Sequence, residues 1–229
     1  MSFLGRKLSA MRSQAAIKLG KEVAKELGEL EMGQMQFAVS VSQTVSPGGL
    51  TGENGEAFAF NIDGIDNVEL MVSTNPGEPL KPLAKIASTG EISRFTLALK
   101  GALSEVDNIP VLVFDEIDIG VGGRSGDIIG RKLRHLAQTH QVICVTHLPQ
   151  IAAYADSHYC VTKSSVGQRT TSTLTYLEGE RRVVEIALML AGPGHSATVL
   201  KNAEELLKKA DDWKQSLAKV YSSPAQLSF

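Results

Sequence analysis

The chain has 229 residues, of which 43% are hydrophobic and 21% are charged. This balance is typical of a globular protein and excludes a disordered or collagen-like chain, and the length allows one large domain or one domain with an appendage. The chain has 23 basic and 25 acidic residues, so its net charge is −2. This excludes the strongly basic overall composition of many nucleic-acid-binding domains.

Cysteine content and hydropathy indicate the cellular compartment in which the protein works. Cys144 and Cys160 are the two cysteines, and both lie in apolar, strand-like runs, which argues against a disulfide scaffold or a cysteine-based zinc site. No apolar run reaches the ~18 residues that would span a bilayer. The first residues lack the apolar core and small-residue cleavage site of a signal peptide. We therefore expect a cytoplasmic protein without a membrane partner.

The first 30 residues predict one long helix. Apolar residues recur at spacings of three and four with charged residues between them, which gives a single narrow apolar stripe. The stripe consists of Leu8, Met11, Ala15, Leu19, Val23, Leu27 and Leu30. Two interpretations remain open: a packed N-terminal helix, or the end of a coiled-coil arm. Gly20 and Gly28 weaken the coiled-coil interpretation, because glycine disfavours helix interiors.

A β-rich region follows the helix. Alternating apolar residues predict strands at about 37–41, 58–62 and 68–72, with glycine-rich turns in SPGGLTGENG and DGIDN between them. We expect an antiparallel meander with one buried face. The next segment, NPGEPLKPL, carries three prolines and is predicted to be neither helix nor central strand.

From residue 88 the pattern changes to alternating helices and short apolar strands. Helices are predicted at about 88–105 and 125–138, and strands at 111–114 and 141–146. Short apolar strands separated by an amphipathic helix indicate a right-handed βαβ unit in a parallel sheet. Beyond it we expect a short helix, a β-hairpin and two terminal helices. The predicted fold class is therefore α/β.

The first candidate for chemistry is the pair Asp115 and Glu116. It follows four apolar residues that predict a buried strand, and ligands in open α/β sheets bind at this carboxyl end of the strands. One carboxylate there could hold Mg²⁺ and its neighbour could polarise a water molecule. Taken alone, solvated acids at a strand exit are the more common explanation.

The second candidate is the helix start at Ser88. Serine followed three residues later by Glu91 forms a capping box. The same geometry presents backbone N–H groups and the positive end of the helix dipole to an anion, and Gly90 would allow close approach of a phosphate. Taken alone, the simple helix start is the better explanation.

The third candidate is His147, which ends the strand next to the acid pair. Because both strands belong to one βαβ unit, we expect His147 to project near Asp115 and Glu116. A histidine at a strand end is more often structural when it stands alone. The other histidines show no ligand spacing and are predicted to be surface or packing residues; they are His135, His140, His158 and His195.

In combination, the three candidates resemble the ATPase heads of the ABC type. A phosphate-type helix cap, an acid-ended strand, a glycine-rich turn and a strand ending in Thr-His follow one another in the order of that class. The resemblance assigns Asp115 and Glu116 to the Walker B pair and His147 to the switch histidine. The signature motif would be Ser88, Thr89, Gly90 and Glu91, and the D-loop would be Ile119, Gly120, Val121 and Gly122.

Three longer segments narrow the resemblance. They resemble the C-terminal half of the proteins of the RecN family, and they read NPGEPLKPLAKIASTGEISR, FDEIDIGVGGRSG and VTHLPQIAAYADSHYCVTK. Members of this family are SMC-like ATPases of bacterial DNA double-strand break repair and recombination. The resemblance covers nearly the whole chain. It implies the end of a coiled-coil arm at 1–32, the C-terminal lobe of an ATPase head at 33–221 and a flexible tail at 222–229. Within the lobe, 33–87 would be the β-rich region with the proline loop, and 88–221 would carry the motifs.

The sequence departs from the family pattern in two motifs. Thr89 stands where the signature normally has glycine, which puts close approach of a phosphate there in doubt. Gly122 stands where many ABC proteins have the D-loop aspartate, although RecN-like chains share this turn. In addition, the chain contains no G-x-x-x-x-G-K-[ST] phosphate loop, so it resembles a C-terminal half whose partner lobe would carry that loop.

The resemblance implies ATP and Mg²⁺ as ligands. Asp115 would hold Mg²⁺ through its water shell, Glu116 would orient or deprotonate the attacking water, and His147 would contact the γ-phosphate. Ser88 and Gly90 would cap the γ-phosphate of ATP held by a second head. The implied partners are the N-terminal lobe of the same protein, a second head in a homodimer, and DNA ends, which would make the protein nucleoid-associated.

Two further points stay open at the level of sequence. DNA contacts could lie at Arg181–Arg182 or Lys208–Lys209, although a solvated helix face explains both pairs more simply. The alternative function is a non-catalytic half-head that pairs with a partner lobe and binds no nucleotide productively. Intact Asp115, Glu116 and His147 argue against that alternative.

Overall fold

The computed structural model describes residues 2–51, 55–85, 89–104, 106–166, 169–194 and 196–222. Within these residues the chain divides into two compact units, 1–107 and 108–229. No helix in these ranges is long and apolar enough to cross a membrane. Each unit combines helices with β-strands, so the predicted α/β class is confirmed.

The described residues of the first unit form two α-helices and five strands. Helix α1 spans Ser2–Glu29 and helix α2 spans Thr89–Leu103. The strands are β1 (Gln36–Gln43), β2 (Val45–Thr51), β3 (Ala57–Phe58), β4 (Asp66–Ser73) and β5 (Lys81–Pro82). One turn of 3₁₀ helix, Leu83–Lys85, precedes α2. The proline segment thus forms a short edge strand, and its prolines keep it out of the sheet centre.

Helix α1 confirms the predicted long helix, but the predicted stripe is buried only towards its C-terminal end. Val23 and Leu27 are fully buried, whereas Leu8 and Met11 are exposed. The buried half packs on β1 and α2 within this unit. The exposed half keeps an apolar surface that a partner helix could cover, and the predicted arm boundary at residue 32 stays a prediction.

A polar contact joins α1 to the sheet. Asp66, at the start of β4, accepts hydrogen bonds from Ser9 Oγ (2.7 Å), Arg12 Nη1 (3.1 Å) and Gln43 Nε2 (3.0 Å). Burial raises the pKa of Asp66, but these hydrogen bonds and the Arg12 charge outweigh it and hold the pKa below its ordinary value. The carboxylate therefore links α1 to both β1 and β4.

The predicted meander is wrong in its pairing. Strand β1 pairs directly with β4 in antiparallel register, Val39 opposite Leu70, and β5 pairs with the other edge of β4. The segment predicted as a turn, SPGGL, lies in β2, which pairs with β3 in a separate two-stranded sheet. The predicted strand at 58–62 ends at Phe58, and Ile62 is fully exposed.

The glycines that predicted a turn lie in a strand because the backbones of β2 and β3 approach each other closely. A Cβ at Gly49 would overlap the carbonyl group of Phe58 on the paired strand, so the sequence needs glycine there. The register of β2 against β3 shifts between Val45 and Leu50, which is the irregularity expected of a bulge. Glycine content alone cannot separate such a bulge from a loop.

The second unit contains the predicted βαβ unit, a hairpin and two terminal helices. Strands β6 (Val111–Phe114) and β7 (Gln141–Cys144) flank helix α3 (Gly123–Leu136). The remaining elements are α4 (Pro149–Ala152), β8 (His158–Val166), β9 (Arg169–Leu177), α5 (Gly179–Ala191) and α6 (Ala197–Ser222). All of these elements were predicted, with ends that differ by a few residues.

Strands β6 and β7 are parallel, as predicted, but β6 is not buried on both faces. Leu112 and Phe114 lie in the core, whereas Val113 is 66% exposed and points to the opposite face, as does Val111. Ile143 of β7 is also exposed, at 47%. Strand residues alternate between faces, so this unit covers one face of the pair and leaves an apolar face open.

Glycine at position 130 allows α3 to approach α4. A Cβ at Gly130 would lie 2.5 Å from Cδ2 of Tyr154 and 3.1 Å from the carbonyl oxygen of Gln150. The Tyr154 ring is held in place, because its hydroxyl donates to Asp127 (2.8 Å) and accepts from Arg131 (3.0 Å). Relief of the clash therefore requires movement of a fixed ring or of the backbone.

We expect Gly130→Ala to destabilise the protein. Overpacking costs about 1–3 kcal/mol and outweighs the gain of up to about 1 kcal/mol from replacing glycine within a helix. Gly20→Ala in α1 is the matched control, because no atom lies within 4 Å of the added Cβ. It should stabilise the protein by about 0.5–1 kcal/mol. Thermal unfolding compares the two, and an equal rise in Tm for both would show that the α3–α4 contact relaxes freely.

Candidate functional site

The acid pair lies at the predicted edge of the parallel sheet. Asp115 and Glu116 follow β6 directly and are both exposed. Phe114 is in register with Cys144, and the Phe114 carbonyl accepts the Val145 N–H at 2.9 Å, so β6 and β7 end side by side. The segment that carries His147 therefore leaves the sheet beside the acid pair.

Glu116 has an unusual backbone. Its φ is +57°, in the left-handed region that non-glycine residues rarely adopt. The chain turns sharply there, and the Ile119 N–H donates to the Glu116 carbonyl at 3.3 Å. After this turn Ile117 enters the core at 0% exposure and Asp118 is 3% exposed. Strain in the backbone at a strand end is common at functional sites.

Asp118 is a residue that the sequence interpretation missed. One of its carboxylate oxygens, Oδ2, accepts hydrogen bonds from Thr146 Oγ1 (2.5 Å), the His147 N–H (2.8 Å) and the Leu148 N–H (3.3 Å). The carboxylate thus ties the turn after β6 to the segment after β7. Its only signal in sequence is an acid three residues after Asp115 in a glycine-rich stretch, which has no pattern of its own.

The ring of His147 lies against the same carboxylate. Its Nδ1 is 3.0 Å from Asp118 Oδ2, and the side chain is otherwise 71% exposed. The backbone and the ring of His147 therefore both contact one buried oxygen, while the rest of the ring is open to a ligand.

The glycine-rich turn after Asp118 leads into α3. Gly120 has φ +72°, which favours glycine, and Gly122 is the N-cap residue of α3 with extended backbone. The Val121 N–H donates to the Asp118 carbonyl at 3.1 Å. The predicted D-loop, Ile119 to Gly122, is thus a compact turn that connects the acid-ended strand to a helix.

The predicted signature segment belongs to the first unit and is described in part. Ser88 lies outside the described residues, and for Thr89 only the backbone is described. Thr89 is the first residue of α2, Gly90 is buried, and Glu91 lies in the first turn. The predicted helix start at 88–91 is therefore confirmed to within one residue, while the capping contact of Ser88 stays a prediction.

The carboxylates influence Cys144, the last residue of β7. Burial, followed by the charges of Asp118 and Asp115, raises the pKa of the Cys144 thiol to about 12. The thiol therefore stays protonated at neutral pH and is a poor nucleophile.

Asp115 is chemically suited to magnesium. Among the described residues, no three His, Cys, Asp or Glu side chains form a cluster that could hold a metal ion. Mg²⁺ in phosphate-binding sites uses one or two carboxylates and takes its other ligands from waters and phosphates. The exposed pair Asp115 and Glu116 matches that donor set, and a site of this kind needs no cage of protein ligands.

One member of each basic pair considered for DNA has a partner within the second unit. Arg182 Nη2 donates to three carbonyl groups around the end of α4, those of Ala152, Ala153 and Ala155, at 2.8–3.2 Å. Lys209 Nζ lies 3.2 Å from Asp127 Oδ1. Arg182 therefore provides hydrogen bonds to carbonyl groups at the C-terminal end of a helix, which is a structural role.

The remaining histidines fit the predicted packing and surface roles where they are described. His140 is buried, with Nδ1 2.8 Å from Thr139 Oγ1, and His135 is exposed. Burial and the nearby Arg182 charge lower the pKa of His158. His195 lies outside the described residues.

Known structures that resemble this chain include SMC head domains. The Smc head domain with a coiled coil and joint from Pyrococcus yayanosii aligns with 88% of this chain and 30% of its own, at 16% identity and TM-score 0.49. The SMC head domain from Thermotoga maritima aligns with 76% of this chain and 52% of its own, at 20% identity and TM-score 0.37. No protein-family model matches the chain.

Relatives found by sequence share a much higher identity with this chain than these structures do. The DNA repair protein RecN of Streptomyces coelicolor is 42% identical over 207 residues, which cover 90% of this chain and 36% of that protein. RecN of Bacillus subtilis is 38% identical over 211 residues, with the same two coverages, 90% and 36%. RecN of Treponema pallidum is 53% identical over 145 residues, 63% of this chain and 25% of that protein.

Sequence similarity defines the class, because relatives named as DNA repair proteins match about 90% of this chain at 38–42% identity. Within that class, the chain belongs to the RecN family, as the sequence motifs predicted. It spans about a third of the length of the curated relatives that it matches over most of its residues.

Proposed function

We propose that this chain is the C-terminal part of a longer ATPase that acts on DNA ends in double-strand break repair and recombination. The observation that carries the proposal is the edge where β6 and β7 end: Asp115 and Glu116 leave one strand, and His147 leaves the next. The relatives at 38–53% identity are DNA repair proteins, which supports the biological role. Such a protein would work in the bacterial cytoplasm, at the nucleoid.

The residues at this edge divide the chemistry of ATP hydrolysis among them. Asp115 would hold Mg²⁺ through coordinated water, and the ion would neutralise charge on the phosphates. Glu116 would orient the attacking water and accept its proton. His147, with an exposed ring, would contact the γ-phosphate. The exposed carboxylates at the carboxyl end of a parallel strand, beside an exposed imidazole, support these roles.

A second lobe would complete the nucleotide site. The 229 residues contain no phosphate loop, which supplies most phosphate contacts in this class. The open face of the β6–β7 pair, with Val113 and Ile143 exposed, supports the same conclusion, because parallel sheets are normally covered on both faces. We call the combination of this chain with the phosphate-loop lobe the two-lobe protein.

The start of α2 would act on a second copy. In this proposal Ser88 and Gly90 cap the γ-phosphate of ATP bound by another two-lobe protein, so ATP joins two heads and hydrolysis releases them. Helix α2 begins at the predicted place, and the N–H groups and positive dipole end of a helix start favour an anion, which supports this role. The arm at 1–32, the lobe at 33–221 and the tail at 222–229 are the domain boundaries we propose.

The test is a comparison of this chain alone with the two-lobe protein. We expect no ATP binding at micromolar concentrations by the chain in calorimetry, because the phosphate loop is missing, and ATP hydrolysis stimulated by linear DNA in the two-lobe protein. Micromolar ATP binding by the chain alone would contradict the half-head proposal. A folded two-lobe protein that binds DNA without hydrolysing ATP would instead support the non-catalytic alternative.

A further inference from the structure

Four nitrogen or oxygen atoms lie within 3.3 Å of one oxygen of the buried Asp118 carboxylate. Its oxygen Oδ2 accepts from the Thr146 hydroxyl and from the backbone N–H groups of His147 and Leu148. These three donors converge on one oxygen of an acid that is 3% exposed, and they hold the backbone after β7 in place. The imidazole of His147 is a fourth neighbour, with Nδ1 3.0 Å from the same oxygen.

The position of the ring separates its two nitrogens. Nδ1 faces Asp118, and the side chain as a whole is 71% exposed, so Nε2 is the nitrogen that a ligand can reach. Which ring nitrogen carries the proton in a neutral histidine is set by the hydrogen bond that the other makes. A carboxylate at Nδ1 favours the form with the proton on Nδ1 and the lone pair on Nε2.

We propose that Asp118 is a positioning residue for His147: it accepts the Nδ1 proton in a hydrogen bond, fixes the tautomer and aims Nε2 at the nucleotide. The orientation of an imidazole by a buried carboxylate is the arrangement by which other enzymes hold a working histidine. The catalytic consequence rests on the proposed contact between His147 and the γ-phosphate, whereas the tautomer is a property of this chain alone.

The first measurement needs no variant. Long-range ¹H–¹⁵N NMR correlation of the ¹⁵N-labelled chain at alkaline pH, where imidazole is neutral, distinguishes the two tautomers by their nitrogen shifts. His147 is assigned as the signal lost in His147→Gln. We expect the Nδ1–H form. A predominant Nε2–H form in the unmodified chain would overturn the proposal.

Variants then test the cause. Asp118→Ala should convert His147 to the Nε2–H form, the one preferred by an unconstrained imidazole. Thr146→Val is the matched control, because it removes the hydroxyl that donates to the same oxygen and accepts the Leu148 N–H, without changing the ring. It should leave the Nδ1–H form in place. Retention of the Nδ1–H form in folded Asp118→Ala would show that another group sets the tautomer, and would refute the assignment to Asp118.

Kinetics of the two-lobe protein separate this proposal from the proposed function. Asp118→Ala should lower kcat roughly 10–100-fold, the usual cost of removing the partner that orients a working histidine, with KM for ATP nearly unchanged. A parental kcat in Asp118→Ala would overturn the positioning role. If His147→Ala also hydrolyses ATP at the parental rate, the role of His147 itself fails, even where the NMR result holds.

Discussion

Replacement of Glu116 by glutamine in the two-lobe protein is expected to reduce ATP turnover by about 10²–10⁴-fold while ATP binding is retained. The amide matches the carboxylate in shape but cannot accept the proton of the attacking water. The backbone conformation at position 116, with φ +57°, costs similar free energy with glutamate or glutamine, so folding should be unaffected. Phosphate release and equilibrium ATP binding, measured on the same preparation, test both halves of the expectation.

Asp115→Asn is the control for Glu116→Gln, because it changes the neighbouring carboxylate in the same way. We expect it to weaken ATP binding that depends on Mg²⁺ and to leave binding without Mg²⁺ unchanged, since Asp115 is the proposed magnesium residue. Different defects in the two variants would support separate roles for the two acids. If Glu116→Gln turned over ATP at the parental rate, Glu116 would have no catalytic role and would be only a solvated acid at the end of a strand.

A carboxylate at position 88 is expected to abolish ATP-dependent dimerisation of the two-lobe protein. Aspartate is as good a helix N-cap as serine, so Ser88→Asp should preserve the start of α2. If position 88 faces the γ-phosphate of ATP in a second head, the added negative charge repels it. Sedimentation with a non-hydrolysable ATP analogue measures the dimer, and ATP binding by a single head should be unchanged.

Ser88→Ala separates this role from simple capping. Loss of the cap costs about 1 kcal/mol of stability, but alanine brings no charge to the phosphate. A capping role alone predicts that alanine is the more harmful change and aspartate is harmless. The signature role predicts the reverse order for dimerisation. A full dimer in Ser88→Asp with nucleotide bound would count decisively against a signature that acts on the opposite head.

The βαβ unit and its acid-ended strand could be predicted because their signals are local. Four apolar residues between polar neighbours predict β6, and 3.6-residue periodicity predicts α3, from a few consecutive positions each. The order of the motifs then identified the family, since the chain preserves them at characteristic spacings. The roles given to Asp115, Glu116 and His147 stay predictions.

Pairing in the β-rich region was predicted wrongly because strand partners are chosen over distance. The alternation at 37–41 and 68–72 indicates two half-buried strands but carries no information on which strand lies beside which. In the fold, β1 and β4 pair directly, and their link through Asp66 to α1 reinforces that pairing. The segment between them forms its own small sheet, where Gly49 allows the backbones to meet.

The sequence by itself determined the fold class, the family and the strand edge at which chemistry is proposed, because periodicity and motif spacing are properties of neighbouring residues. Only the tertiary structure revealed Asp118, whose partners lie 28–30 residues away along the chain. Two parallel strands that end together leave N–H groups without a partner after β7, and a buried acid from the first strand's exit satisfies them. Such a need arises only once the strands are side by side.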